Sequence, residues 1–486
     1  PMRRGAPRRM KIGLFSREIR QDFVLQGIAH APRRTTSHEN WVIFKGGNMT
    51  TFKKVAYSLG SLGASLPAQV FSTWVIFFYV DRLKLPAAWM ALAWLFYGIW
   101  NALNDPLFGY FSDRTKSRWG RRIPYILFGT IPLALVFYLI WIPPFTAANL
   151  LYLFLYMVLI IFLYDSLYTL VILNWTALYP EMFPTLKDRA SVSALRQVFG
   201  LVGIIGGVAL APLVYGSLGW PAMGLIFGTI TAFSLFISLL GSKERPGYIG
   251  EPLNILPALK FTLLNRSFLT YVLYSLLVQF TFVLIMASIP FYTKYVLGLG
   301  EMETSLLFLS CFLVALISLY PWSKVTVRLG ARQVAMAAAI LFGLSLIPTA
   351  FVSTFLSGVV FFAFIGIGLG GLILILDVLL AQVIDEDKIK TGVRREGVYF
   401  GVHALFIRLG ISLQGLTMGL VLTRSGYDAH LLIQPASALL GLRLLMSAIP
   451  IAALALALVF IFYYPLSGER LKAVEAEMSV PIKGMP

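Results

Sequence analysis

Residues Asn101 to Tyr125, NALNDPLFGYFSDRTKSRWGRRIPY, decide what kind of fold this chain can adopt. The stretch starts inside an apolar run and carries Asn101, Asn104 and Asp105, spaced to share one face of a helix. Hydrocarbon tolerates none of these side chains, so that face must look inward. Further on, Arg114, Lys116, Arg118, Arg121 and Arg122 crowd into a polar loop before a new apolar run opens at Ile123. A loop this basic stays on the cytoplasmic side of a membrane. The stretch therefore predicts a buried polar site, an orientation and a turn between two helices.

Composition agrees. Of 486 residues, 58% are hydrophobic and 13% charged, and the mean hydropathy is +0.79. A soluble domain would carry roughly 25% charged residues, so the chain is expected to be an all-α protein that crosses the membrane many times. The net charge of +18 does not point to nucleic acid, because the basic residues sit in the N-terminal tail and in short loops. There, topology and anionic lipid account for them. Cys311 is the single cysteine, so an internal disulfide is excluded. Four histidines and one cysteine offer no metal-ligand cluster, no cofactor is expected, and no enzyme motif is present. GIGLGG at 366–371 lacks the context of a dinucleotide site and reads as helix packing.

Apolar runs long enough to span a bilayer fall at about 55–80, 87–112, 123–143, 147–177, 191–217, 221–241, 267–297, 303–321, 334–353, 355–382, 396–424 and 438–465. Twelve spans are predicted. Alternate loops carry the Lys and Arg clusters while the others are nearly bare, so both termini are expected in the cytoplasm. Residues 1–48 read as a disordered basic extension, with a bacterial-type start at Met49 and a bacterial inner membrane as the expected location. Residues 49–241 and 267–465 read as two six-helix bundles, 242–266 as a cytoplasmic linker and 466–486 as a cytoplasmic tail. The bundles echo each other: SDRTKSRWGRR after the second span matches SKVTVRLGAR after the eighth, and LYPEMFPTLKDRAS matches VIDEDKIKTGVRREG. Two related halves describe a transporter that rocks around a midplane site.

The pattern Gly109-x-x-x-Asp113-Arg114, then Arg118-x-Gly120-Arg121-Arg122, resembles the loop signature of the major facilitator superfamily. NDPLFGYFSDRTKSRWGRRIPYILFG, LYDSLYTLVILNWTALYPEMFP, IPFYTKYVLG and DEDKIKTGVRREGVYFG resemble, more narrowly, the glycoside-pentoside-hexuronide:cation symporters, the melibiose-permease-like group to which sodium-dependent lysolipid transporters are also related. The resemblance runs from Met49 to about Pro465. It implies two pseudo-symmetric bundles of the major facilitator fold, transport by alternating access, and symport of a sugar or glycoside-like solute with a cation.

The resemblance also implies a cation site at Asn101 and Asp105 on the second helix with Asp165 on the fourth, and Asn104 lies beside them. Where the family has a second carboxylate, this chain has Asn101. Sodium keeps an amide oxygen there, and the single acid Asp105 suits a proton equally, so proton and sodium both stand as coupling ions. Arg196 matches the family's substrate-contacting arginine, Arg408 stands where lysine is usual, and Ser65 replaces an acid of the sugar site. An arginine does not release its proton, so Arg408 is a permanent countercharge to Asp105 or Asp165. Tyr168 and Trp175 could stack on a sugar ring, and Gln279, His403 and Gln414 could line the cavity. Asp113, Arg114, Arg121, Arg122, Glu181, Arg189, Glu386 and Arg394, in or beside loops, are expected to form gating salt bridges. The expected partners are one small solute and membrane lipids, with the protein a monomer. A lysolipid or other amphiphile transporter of the same fold is the alternative reading; a non-transporting sensor or scaffold is the third, and the buried charges argue against it.

Overall fold

With no water inside a bilayer to satisfy them, backbone groups of long apolar runs must bond within their own segment, and helices result. The computed structural model describes residues 50–115, 117–183, 186–244, 255–391 and 395–479, and every regular element among them is helical. The expected extension 1–48, the middle of the expected linker and the last residues of the tail lie outside the described residues.

The first helix group comprises α1 (Thr51–Arg82), α2 (Ala87–Arg114), α3 (Ile123–Ile140), α4 (Leu150–Met182), α5 (Leu186–Ile205, continued by Gly206–Leu210 and Ala211–Leu218) and α6 (Trp220–Gly241). A short helix, α7 (Ile255–Leu264), leads to the second group: α8 (Arg266–Val296), α9 (Glu301–Leu329), α10 (Ala331–Leu346), α11 (Phe355–Thr391), α12 (Glu396–Arg424) and α13 (Ala436–Phe462). A final helix, α14 (Glu469–Ser479), follows. Among the described residues, eleven helices are long and apolar enough to cross a membrane. The other expected span, α2, has 28 residues and so ample length, but Asn101, Asn104 and Asp105 make it more polar than the rest.

The two groups repeat one packing scheme. In the first, α1 packs on α5 and α6, α2 on α4, and α3 on α4 and α6; in the second, α8 packs on α12 and α13, α9 on α11, and α10 on α11 and α13. Between the groups the broadest contact is α2 against α12. The GIGLGG run serves packing: a methyl group on Gly366 would lie 2.2 Å from the Cys311 carbonyl oxygen, and one on Gly370 2.1 Å from Ser318 Oγ. Only glycine lets α11 approach α9 this closely.

The start of α1 and the end of α6 meet where Gly241 abuts the Lys53 carbonyl, and this end of the bundle, which also holds α14, is termed the terminal face. At the opposite face α1 and α8 both close with a turn of π-helix, Phe77–Arg82 and Tyr292–Val296. Each turn is anchored in the same way: Tyr79 Oη donates to the Ile140 carbonyl at the end of α3 (3.0 Å), and Tyr292 Oη to the Thr349 carbonyl beyond α10 (2.6 Å).

Candidate functional site

The small residues on α2 and α12 set how close those helices come. Gly419 meets Ala91, Gly415 sits against the Trp94 ring, and Gly98 faces Ser412. One turn nearer the terminal face this close packing gives way to polar groups. Arg408 of α12 reaches across to donate from Nη1 to Asn101 Oδ1 (2.5 Å) and to the Asn101 carbonyl (3.2 Å), and from Nη2 to Asp105 Oδ1 (2.5 Å). Beyond this point α12 has open space beside Gly401 and Gly397.

Asp165 of α4 completes the cluster. Its Oδ1 accepts from Tyr97 Oη (3.1 Å) and Asn101 Nδ2 (3.0 Å), and its Oδ2 from Asn104 Nδ2 (2.6 Å). Asn104 Nδ2 also lies 3.1 Å from Thr169 Oγ1. Asn101, Asn104 and Asp165 are buried, at 3%, 0% and 5% exposure, whereas the Asp105 and Arg408 side chains are 29% and 20% exposed. Burial of this many polar groups costs free energy unless each finds a partner, and the cluster supplies one for every fully buried side-chain nitrogen and oxygen except Asn104 Oδ1. The arrangement joins a permanent cation of one helix group to two acids of the other.

The other expected binding residues stand apart from this cluster. Arg196 lies over the rings of Trp175 (4.7 Å) and Tyr179 (5.0 Å), and among the described residues it has no ion pair. Trp175 is buried between Tyr57 and Gly60, so its ring meets protein. Tyr168 is half-buried and donates to the Ala64 carbonyl (3.1 Å); Ser65 sits where α1 crosses α5 at Gly200 and Gly203. Gln414 is buried, Gln279 lies beside Gly410, and the His403 ring bonds to Tyr271 and Ser275.

At the terminal face the ion pairs of Glu181, Glu386 and Asp387 each stay within one group. Arg121 and Arg122 both reach Glu181 Oε1 (2.9 and 3.0 Å), while Arg189 Nε donates to the Phe183 carbonyl. Glu244, which sequence reading passed over, accepts from the backbone N–H groups of Arg121, Arg122 and Ile123 (2.6, 2.5 and 2.8 Å). An acidic side chain at a helix start satisfies orphan donors and suits the helix dipole, but Glu244 is over a hundred residues from the helix it caps, so no local pattern marks it. Glu386 pairs with Lys390 and Arg470, tying α14 to α11, and Asp387 with Arg395. Arg394 and the Asp113 side chain lie outside the described residues, and Arg114 is exposed at the end of α2.

The opposite face joins the groups instead. Asp81, 2% exposed, accepts from Lys294 Nζ (2.6 Å), Tyr427 Oη (2.7 Å) and Tyr295 Oη. Outside this knot lies a cavity of about 580 Å³ lined by Phe78, Arg82, Trp141, Trp220, Lys294 and Glu301, among others, and it does not touch Asp105 or Asp165. Sequence reading missed the knot because no local pattern says that Asp81 and Lys294, at the ends of two separate spans, will meet.

Three comparisons bear on these findings. The family profile described as MFS/sugar transport protein matches residues 56–468. Among curated proteins, the chain is 26% identical to an uncharacterized symporter of Synechocystis, covering 85% of this chain and 94% of that one. It is 27% identical to the isoprimeverose transporter of Lactiplantibacillus pentosus (85% and 88% covered) and 25% identical to the sodium-dependent lysophosphatidylcholine symporter 1-A of Danio rerio (87% and 87%). Among solved structures, a nucleoside transporter superposes with a TM-score of 0.62 at 14% identity, over 86% of this chain and 100% of that one.

Proposed function

The chain belongs to the MFS/sugar transport protein family, and on that premise we propose that it is a cation-coupled symporter of a sugar or glycoside-like solute, of the glycoside-pentoside-hexuronide type. At the coarser level it is a secondary-active transporter of small solutes with the major facilitator fold. The solute binds between the two helix groups, which are the two halves that rock. The observation that carries this reading is the reach of Arg408 from the second group to Asn101 and Asp105 of the first, beside Asp165. A site built from both halves changes whenever the halves move, which is what coupling requires.

In this reading Asp165, Arg408, Tyr168 and Arg196, with Ser65 and Trp175 behind them, serve the solute, and Asp105 with Asn101 and Asn104 takes the cation. Arg121, Arg122, Glu181, Arg189 and Glu386 brace the gate at the terminal face, which is the cytoplasmic one. The relative that transports isoprimeverose favours a glycoside. A second reading, an amphiphile, is favoured by Asp165: both its oxygens are already engaged by Tyr97, Asn101 and Asn104, and Ser65 offers no second acid for sugar hydroxyls. The relative named as a lysophosphatidylcholine symporter, 25% identical to this chain, supports that reading.

Uptake into proteoliposomes, screened over sugars, glycosides and lysolipids with pH and sodium gradients imposed separately, tests both. Accumulation of a glycoside that fails in Asp105→Asn is the expected result. Undiminished driven accumulation in that variant removes Asp105 from coupling, and lysolipid uptake alone selects the second reading.

A further inference from the structure

The central cluster does not account for the cavity at the face away from the termini. At about 580 Å³ it falls within the range of about 300–1,000 Å³ usual for small-molecule pockets. Both helix groups wall it: Phe78, Arg82, Tyr215 and Trp220 come from the first, Lys294 and Glu301 from the second. Asp81 lines it as well, so the Asp81–Lys294 contact that joins the groups at this face belongs to the same cavity. Glu301, at the start of α9, lies along the last turn of α5, where a methyl on Gly216 would stand 3.0 Å from its Cγ.

Its lining holds hydrogen-bonding groups that the protein leaves unused. The charged side chains there are Asp81, Arg82, Lys294 and Glu301, two of each sign, so a net anion or cation gains little Coulomb energy. Lys294 is spent on Asp81. Among the described residues Arg82 and Glu301 make no hydrogen bond and no ion pair, and Tyr215 Oη and Trp220 Nε1 make no hydrogen bond. Trp220 is 9% exposed and Tyr215 half-buried, and buried indole and phenol groups ordinarily find a partner. Neither of the two atoms is sealed in by protein. The rings of Tyr215, Trp220 and Trp141 stack nearly parallel, with centroids 4.0 and 5.5 Å apart, and form one apolar wall.

We infer that this cavity is a second solute site, distinct from the Asp105–Asp165 cluster, for a neutral hydroxyl-rich molecule of sugar size. Hydroxyls both donate and accept, so they serve the Glu301 carboxylate, the Arg82 guanidinium, the Tyr215 hydroxyl and the Trp220 N–H alike. The apolar C–H face of a sugar ring packs on the aromatic wall. A zwitterion would match the two unspent charges but leave the two neutral groups idle. Because the walls come from both helix groups, opening at this face takes the site apart, and a solute held there opposes opening. The binding stands without the transporter reading; the slowing of transport rests on it.

Cysteine protection on the full chain in lipid nanodiscs tests the site. Thr146 is an exposed residue of the lining, and Cys311, the single native cysteine, is buried, so Thr146→Cys provides one reactive thiol. With xylose, glucose, maltose and lactose as probes, at least one is expected to slow maleimide labelling, about tenfold at about nine times its half-protecting concentration. Glu301→Gln and Arg82→Gln, made separately in that background, should each raise the half-protecting concentration about five- to thirtyfold. Protection by none of the four sugars, protection by glycerophosphocholine alone, or unchanged protection in both variants overturns the assignment. Counterflow of the protecting sugar supplies the separate reading: flux that declines at high concentration and recovers in Glu301→Gln supports the effect on opening, and flux that only saturates refutes that effect. Absence of flux from the unaltered protein refutes the transporter reading and leaves the labelling result intact.

Discussion

Asp81 and Lys294 occupy the same place in two equivalent helix ends and are bonded to each other at 2.6 Å. Phe78-Tyr79-Val80-Asp81 closes α1 and Phe291-Tyr292-Thr293-Lys294 closes α8. Each segment is a π-helical turn pinned by its tyrosine to a carbonyl at the end of the third helix of its own group. The repeat therefore presents opposite charges at one crossing, and the face away from the termini is latched by a pair that the internal symmetry itself aligns.

If the pair is a latch, exchanging its charges should preserve it. Asp81→Asn is expected to cost about 1.5–3 kcal/mol, the range for a hydrogen bond to a charged group, and to raise labelling of a cysteine introduced at that face. The exchanged double variant D81K/K294D should regain at least half of the loss in thermal unfolding. Additive losses in the two single variants and no recovery in the exchange would show that the pair is incidental.

Arg408 is expected to resist its conservative replacement. Its two terminal nitrogens serve Asn101 and Asp105 at once, and a lysine ammonium lacks that fork. Arg408→Lys should lose about 1–3 kcal/mol of stability, and a double-mutant cycle with Asp105→Asn should give a coupling of about 0.5–3 kcal/mol. A coupling near zero would mean that the contact carries no energy.

The α2–α12 contact predicts opposite outcomes for two glycines of one helix. A methyl at Gly415 would fall 1.6 Å from Trp94, and one at Gly397 meets nothing within 4 Å. Gly415→Ala should lower stability by about 1–3 kcal/mol through overpacking, and Gly397→Ala should leave it unchanged or raise it by up to about 1 kcal/mol. Equal melting temperatures for the two variants would contradict the crossing described.

Glu244 holds the start of α3 from a distance. Glu244→Gln keeps one acceptor oxygen and loses the charge, with an expected cost of about 0.5–2 kcal/mol. Hydrogen exchange at the amides of Arg121, Arg122 and Ile123 should quicken while that of α10 stays as it was; slow exchange at those three amides in the variant would assign the cap to another group.

Sequence reading located most of the helices because crossing a bilayer leaves a signal in every run of twenty residues, and it found the inward polar face of α2 because three polar side chains on one turn have no other explanation. It also placed Asp105, Asp165 and Arg408 in one neighbourhood through the family resemblance. It could not foresee that Glu181 would take Arg121 and Arg122 rather than Arg189, or that Trp175 would be closed in by Gly60. Both depend on which helix lies beside which, and at 14% aromatic content a buried ring and a stacking platform look alike.

By itself the chain of letters determined that this is a helical membrane protein and which ionisable groups lie within its spans, since hydropathy and spacing act locally. Tertiary structure alone decided which of those groups meet. Arg408 could have answered Asp105, Asp165 or neither. Pairing energy depends on distance and on what fills the space between, and neither exists until the helices have packed.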